Sequence, residues 1–305
     1  MTDTTTDLII PTTTAGQLGF TFTAAADDRS PSRRRADQAR ARLAQGFAAV
    51  REDPAAFAGY LAFCARFTDY SARNKLLVYL QDPNARFCKG YRDWLGHGRQ
   101  VRRGEKGLTI LAPLLRRPTA DEVAAGADPD RRVPFGFRAV AVFDYGQTVA
   151  VSDDALVYAP PVARLDAGGP DGLAARVEAA VAAVGYAVET ADTGYADGRC
   201  RFAAKTIEVR PGLSPADRAA VLAHELAHAV AHGSDEAERP SRASAELQAE
   251  GAAYVALAAL GLETARCSLP YLKGWAGGDD DALAAELAAI DRIAGRLLDL
   301  VGAAG

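Results

Sequence analysis

The sequence predicts an α+β protein in two parts, a mixed front and a mostly helical rear, and three observations carry that reading. Residues 33–80 hold apolar side chains at helical spacing, whereas 108–115 and 137–143 are short β-rich runs, so helices and strands share the front. Pro160-Pro161 and Gly168-Gly169-Pro170 punctuate the middle of the chain and set a junction over 151–170. Beyond it, Ser214-Pro215-Ala216-Asp217 places an N-cap serine, a proline at the first helical position and an acid at the third, which starts a long helix. With 305 residues, 49% hydrophobic and 24% charged, the chain has a globular composition and length for two domains of the usual ~100–150 residues.

Taken in order, residues 1–30 are rich in Thr, Ala and Asp without a sustained period and read as a disordered tail. The front domain, 31–150, starts with a basic amphipathic helix over 33–51. A second helix begins at Pro54 and runs through Phe57, Tyr60, Leu61 and Phe67; a third starts at Ser71 and runs to Leu80. The two β-rich runs follow, separated by a polar segment, 118–132, read as a variable loop. After the 151–170 linker, the rear domain, 171–305, opens with a helix over 173–184, a short extended run at 186–189, and a strand or hairpin edge over 199–210. The Ser214 helix should end near His232, before Gly233. Another helix carrying Glu246 and a long Ala/Leu helix complete the domain.

Several classes are excluded or disfavoured. The longest uncharged apolar stretch, 252–262, falls well short of the ~20 residues that cross a bilayer, so no membrane span is expected. The acidic, Thr-rich start lacks the basic and apolar regions of a signal peptide. Cys64, Cys88, Cys200 and Cys267 show no CxxC spacing and read as reduced packing residues, so the expected location is cytoplasmic. The net charge of −4 hides an asymmetry. Residues 31–120 hold 18 Lys+Arg against 7 Asp+Glu, whereas 211–305 hold 7 against 14. The basic front suits an anionic partner, and the acidic rear suits a different task.

The rear helix carries His224-Glu225-Leu226-Ala227-His228. A spacing of four puts both imidazoles on one face, where their nitrogens can chelate one Zn²⁺, with Glu225 between them as the general base for hydrolysis. Three of the four histidines fall within nine positions. A third ligand must come from elsewhere, and the next helix offers Glu246, with Glu250 one turn later as an alternative ligand or a group orienting one. His232 lies too far along a straight helix to share the metal with His224 and reads as a helix-end histidine favoured by the dipole. A third histidine ten positions after the first is excluded, because Ser234 stands there. A transition-state stabiliser is not legible in the sequence; Tyr254 and Tyr271 are weak candidates that read first as packing residues.

In the front, Arg92, Arg99, Arg102, Arg103 and Lys106 are interleaved with Tyr91 and Trp94, a mixture of cations for phosphates and ring faces for unpaired bases. Trp94 reads equally as a core residue and as a stacking platform. Asn74 and Gln147 read either as polar readers or as loop-fixing hydrogen bonders.

Four islands in order, Tyr70-Ser71-x-x-Asn74-x-Leu76-Leu77, Gly90-Tyr91-x-x-Trp94, Gly98-Arg99-x-Val101-x-x-Gly104-Glu105-Lys106-Gly107 and Val142-Phe143-Asp144-x-x-Gln147-Thr148, resemble the N-terminal single-stranded-DNA-binding domain of the ArdC antirestriction family. The helix at Glu246-x-x-Ala249 resembles that of the ImmA/IrrE and ArdC-like metallopeptidases, in which the first glutamate is the ligand; this implies Glu246. Pro270-Tyr271-Leu272-x-x-Trp275 resembles the C-terminal end of the ArdC-like proteins. The resemblance implies a single-stranded-DNA-binding domain followed by a zincin-like metallopeptidase domain, with single-stranded DNA and a possible protein substrate as partners. Two roles stay open: protection of incoming DNA from nucleases, with the zinc site structural or nearly idle, or regulatory cleavage of a partner such as a repressor with DNA as localiser or trigger.

Overall fold

The computed structural model describes residues 31–67, 70–158, 169–233, 240–262 and 279–304. The 1–30 tail, Asp235, Glu236, Glu238, Cys267, Tyr271 and Trp275 lie outside the described residues, as does half of the expected linker, 159–168. The front begins with α1 (Pro31–Glu52), α2 (Pro54–Cys64) and α3 (Ala72–Tyr79). Asp53 caps α2, its carboxylate accepting the Ala55 N–H, with Pro54 at the first helical position. Then come β1 (Cys88–Lys89), α4 (Tyr91–Gly96), β2 (Arg99–Val101), β3 (Leu108–Arg116), α5 (Ala120–Ala124), β4 (Val133–Asp144) and β5 (Thr148–Ala150). The polar segment read as a variable loop contains α5. Thr119 and Glu122 form a reciprocal capping box there, a local signal stronger than the low apolarity that suggested a loop.

β3 and β4 form a long antiparallel hairpin, with β1 on the far side of β4, while β2 pairs antiparallel with β5. One face of the three-stranded sheet packs through Ile110 and Val142 on Phe63, Phe67 and Val78. The outer edge of β3 is closed by side chains. The Asn74 amide donates to the Leu111 carbonyl (3.0 Å) and accepts its N–H (2.9 Å), and Gln81 does the same to Thr109, both at 2.9 Å. Two amides from α3 and the turn after it therefore act as a missing strand, which protects an edge from pairing with another chain.

The rear consists of α6 (Gly169–Ala183), β6 (Ala187–Thr190), β7 (Gly198–Arg201), β8 (Thr206–Val209), α7 (Pro215–Ala231), α8 (Arg242–Ala259) and α9 (Asp280–Ala303). β8 is central, parallel to β6 and antiparallel to β7. Ser214 accepts the Asp217 N–H and starts α7; Ser241 and Asp279 cap α8 and α9 in the same manner. The architecture is α+β, as the patterning predicted.

One cluster of buried side chains runs from Phe47, Phe57, Leu61 and Leu77 in the front to Leu222, Leu226, Leu247 and Leu287 in the rear. Sequence punctuation marks where the chain breaks rhythm, whereas the apolar faces of α1–α3 find their partners on α8 and α9. Three ion pairs add to this seam: Arg51–Asp280 (2.7 Å), Arg73–Asp281, and the buried Lys75–Asp291 pair (3.0 Å).

Candidate functional site

α7 rests its apolar face, Leu222, Ala223, Leu226 and Ala227, in the shared core and turns the His224/His228 stripe toward α8. The His224 and His228 Nε2 atoms stand 3.1 Å apart, and Glu246 Oε2 is 3.5 Å from the first and 3.7 Å from the second. Two ligands of a tetrahedral ion bound at ~2.0–2.1 Å lie about 3.4 Å apart, so this triangle already has the size that such an ion requires. Two imidazoles and a carboxylate suit zinc and neighbouring divalent ions. The side chains therefore fit the group that the sequence implies.

The electrostatics point the same way. Burial alone would lower His224, but contacts with Glu246 and Glu250 outweigh it and push its pKa up to about 10. Hydrogen bonds from His224 and His228 hold Glu246 well below the usual carboxylate range. A site that favours a proton between these groups also favours a cation. Burial raises Glu225, which is 8% exposed, against the pull of the neighbouring histidines and of a backbone hydrogen bond from Cys200. Its carboxyl lines the same cavity as the triangle, placed to act as a base beside it.

The outward nitrogens of both histidines are also held. Glu250 sits 3.0 Å from His224 Nδ1. His228 Nδ1 meets His232 Nδ1 at 3.0 Å, His232 Nε2 meets Gln248 Oε1 at 3.0 Å, and the Gln248 amide donates to Glu286 Oε2 at 2.8 Å. Ser244 also donates to Glu286. Burial lowers the pKa of His232, so the neutral ring can accept from one side and donate to the other. With Nε2 of His228 free for a metal, its Nδ1 carries the hydrogen, and the chain runs in one direction from His228 to Glu286. His232 does end α7, as expected, but its ring is buried in this hydrogen-bonded chain, which replaces the helix dipole as the reason for its place. Sequence reasoning missed Gln248, Ser244 and Glu286; the available signal was a set of polar residues on the inner faces of two Ala-rich helices.

The triangle opens into a cavity of about 850 Å³ lined also by Gly198, Arg199, Phe202 and Arg242. A Cβ at Gly198 would come within 2.4 Å of Val221 and 3.0 Å of Glu225, so only glycine lets β7 lie this close to α7. Arg242, one turn before Glu246 on α8, and Arg199 on β7 are cations on this wall that sequence reasoning passed over.

At the basic segment the structure separates surface from interior. Tyr91, Arg92, Arg103 and Lys106 are exposed or partly exposed. Arg102 is tied to Glu105 at 2.7 Å, and Gln147 braces the same loop by donating to Glu105 and to the Lys106 carbonyl. For Trp94 and Arg99 the structure corrects the expected place on a DNA face, whereas for Asn74, half-buried on the wall of a groove, it shows the loop-fixing alternative. Trp94 is fully buried and donates its indole N–H to the Phe143 carbonyl at 2.8 Å. Arg99 is buried, donates to Thr148 and Leu156, and stacks 4.0 Å from the Tyr145 ring centroid. Asn74 closes the β3 edge. Each has its polar groups satisfied inside the fold, the lowest-energy place for a large amphipathic side chain.

Two stretches of the chain match known domain families. Residues 33–143 match the N-terminal domain of anti-restriction factor ArdC, and residues 183–260 match the IrrE N-terminal-like domain. The metal-free crystal structure of the antirestriction protein ArdC from plasmid R388 superposes with a TM-score of 0.54 at 21% identity, over 77% of this chain and 86% of that one. Its Mn(II)-bound form gives 0.50 at 20% identity, over 76% and 85%. An uncharacterized Bacillus anthracis protein is 23% identical over 72% of this chain, which spans 43% of that relative's length.

Proposed function

We propose that this chain, ArdC-like in its two domains and in their order, binds single-stranded DNA with its front half and hydrolyses a peptide bond at the His224, His228 and Glu246 site, in an antirestriction or DNA-protecting role. The observation that carries the hydrolytic half is the preformed ligand triangle beside a buried Glu225 in an open cavity. When bound, zinc supplies a Lewis acid and brings the pKa of water to about 7. Mn(II), the ion of the ArdC crystal structure, is the alternative. His224, His228 and Glu246 hold the ion; Glu225 takes the proton from the attacking water and returns it to the leaving amine. Glu250 and His232 fix the two imidazoles. Both activities belong to the cytoplasm. Among the described residues no helix is long and apolar enough to cross a membrane.

A second reading, regulatory cleavage of a protein partner with DNA as trigger, draws on the continuous core between the halves, which gives a strand bound in front a physical connection to the site behind. Metal analysis of the purified full chain tests the first reading. Stoichiometric zinc is expected, lost in His224→Ala and His228→Ala and strongly weakened in Glu246→Ala, whereas Glu225→Gln keeps the metal and loses hydrolysis. Full occupancy in Glu246→Ala refutes the ligand assignment.

A further inference from the structure

The second face of the β1–β4–β3 sheet is covered only in part: Leu111 packs against the main core, and the residues around it stay open. Along β4, residues 137, 139, 141 and 143 share this face, with Pro113, Leu111 and Thr109 opposite the first three on β3. Ala141 is exposed, Ala139 and Phe143 partly so, and Phe137 is 46% exposed. At one end, the Tyr91 ring, also 46% exposed, meets Phe143 edge-on at 6.2 Å. Gly107 leaves this end open, because a Cβ there would stand 2.8 Å from Ala141 and 3.1 Å from Phe143. At the other end, Phe137 forms part of a groove of about 640 Å³ between α1, α3, β3, β4 and α9, whose rim carries Arg40 and Arg73.

We propose that this face, from Tyr91 across the Ala141 and Ala139 floor to Phe137 and its groove, is the surface on which single-stranded nucleic acid lies. The proposal rests on the reading that the chain binds single-stranded DNA and names where it does so. Six steps along β4 lead from Phe137 to Phe143, about 20 Å at ~3.4 Å per residue, room for several nucleotides. Ring faces stand at both ends of a floor of small side chains, the arrangement on which unpaired bases stack without regard to sequence. The charges complement a phosphate backbone. Arg92, Arg103 and Lys106 flank the Tyr91 end without an ion-pair partner among the described residues. Arg40 pairs with the half-buried Asp37 and Arg73 with the exposed Asp281, surface pairs that a phosphate can displace, while Asp280 on the same wall is neutralised by Arg51. An added peptide strand is disfavoured as occupant at the outer edge of β3, because Asn74 and Gln81 already occupy its backbone groups at Leu111 and Thr109.

The test uses the full chain and a labelled oligo-dT, followed by anisotropy at several salt concentrations. The Tyr91→Ala/Phe137→Ala double variant should lose affinity by about tenfold or more with an unchanged salt slope, since stacking releases no counterions. Ala141→Glu, which adds a carboxylate to the exposed floor, should lose a similar amount. Arg103→Ala/Lys106→Ala should flatten the slope by about 1.4, two phosphates at ~0.7 each for single strands. In Phe137→Trp the new indole should be quenched by saturating oligo-dT beyond any quenching seen in the wild type. Unchanged urea midpoints in these variants show that the fold is intact. Wild-type binding that survives in the aromatic double variant and in Ala141→Glu, with no added quenching at position 137, overturns this surface and leaves DNA binding standing. A wild-type chain that binds no single strand overturns the DNA reading, and this proposal with it.

Discussion

Replacing His232 by alanine tests whether the hydrogen-bonded chain behind the metal triangle acts on the metal. The substitution removes the ring that meets His228 Nδ1 at 3.0 Å and Gln248 Oε1 at 3.0 Å, at a position only 3% exposed. His228 then loses the acceptor that fixes its tautomer and its ring plane, while all three ligands remain. Groups in this position on a metal-bound histidine are worth about 10–100-fold in affinity, or about 1.4–2.8 kcal/mol. Competition with a calibrated zinc chelator reads the effect directly and needs no substrate. His232→Gln offers a carbonyl to the His228 N–H and should recover most of the loss. Glu286→Gln, two hydrogen bonds further away, should cost a few-fold at most. The dipole reading of the same histidine expects a different result, a change in stability with metal affinity unmoved. Zinc affinity within twofold of wild type in His232→Ala, with the fold retained, would refute the argument.

Three further outcomes follow from the same structure. Lys75→Met leaves Asp291 buried without its partner and should cost about 3–5 kcal/mol in urea unfolding, whereas Lys75→Met/Asp291→Leu should recover most of it; a single-variant cost below about 1 kcal/mol would refute the buried pair. Burial, followed by the neighbouring Asp291, pushes the Cys64 thiol up to about 12, so it should resist alkylation at pH 8 until the protein unfolds, as peptide mass spectrometry of labelled native and denatured chains can show. His224, raised to about 10 without metal, holds a proton at pH 7 that a divalent ion must expel. Zinc affinity should therefore rise by about tenfold per pH unit through neutrality, and the stabilisation that the protonated ring gives the metal-free fold should fade as pH climbs through about 10. Calorimetry in buffers of different ionisation heat counts the proton, and an affinity that is flat from pH 6 to 8 refutes it.

The sequence alone determined what is written in local rules. Helix starts at Pro54 and Pro215 follow from an N-cap residue and a proline placed side by side, and the i, i+4 spacing of His224 and His228 follows from the helical period. The four islands in the front were recognisable because they are contiguous stretches of chain. Only the tertiary structure decided which polar residues face outward. Trp94 and Arg99 stand in the same basic, aromatic and glycine-rich islands as Tyr91, Arg92 and Arg103, yet hydrogen bonds to Phe143, Thr148 and Leu156, each more than 40 residues away, turn the first two inward. His232, Gln248 and Glu286 come from three helices, and no periodicity within one helix reports the register against the next. The seam between the halves is hidden for the same reason. Apolar stripes on α1, α2 and α3 announce that each helix must be covered, but which surface covers them is fixed by packing over long sequence separations, where α8 and α9 offer the complementary face.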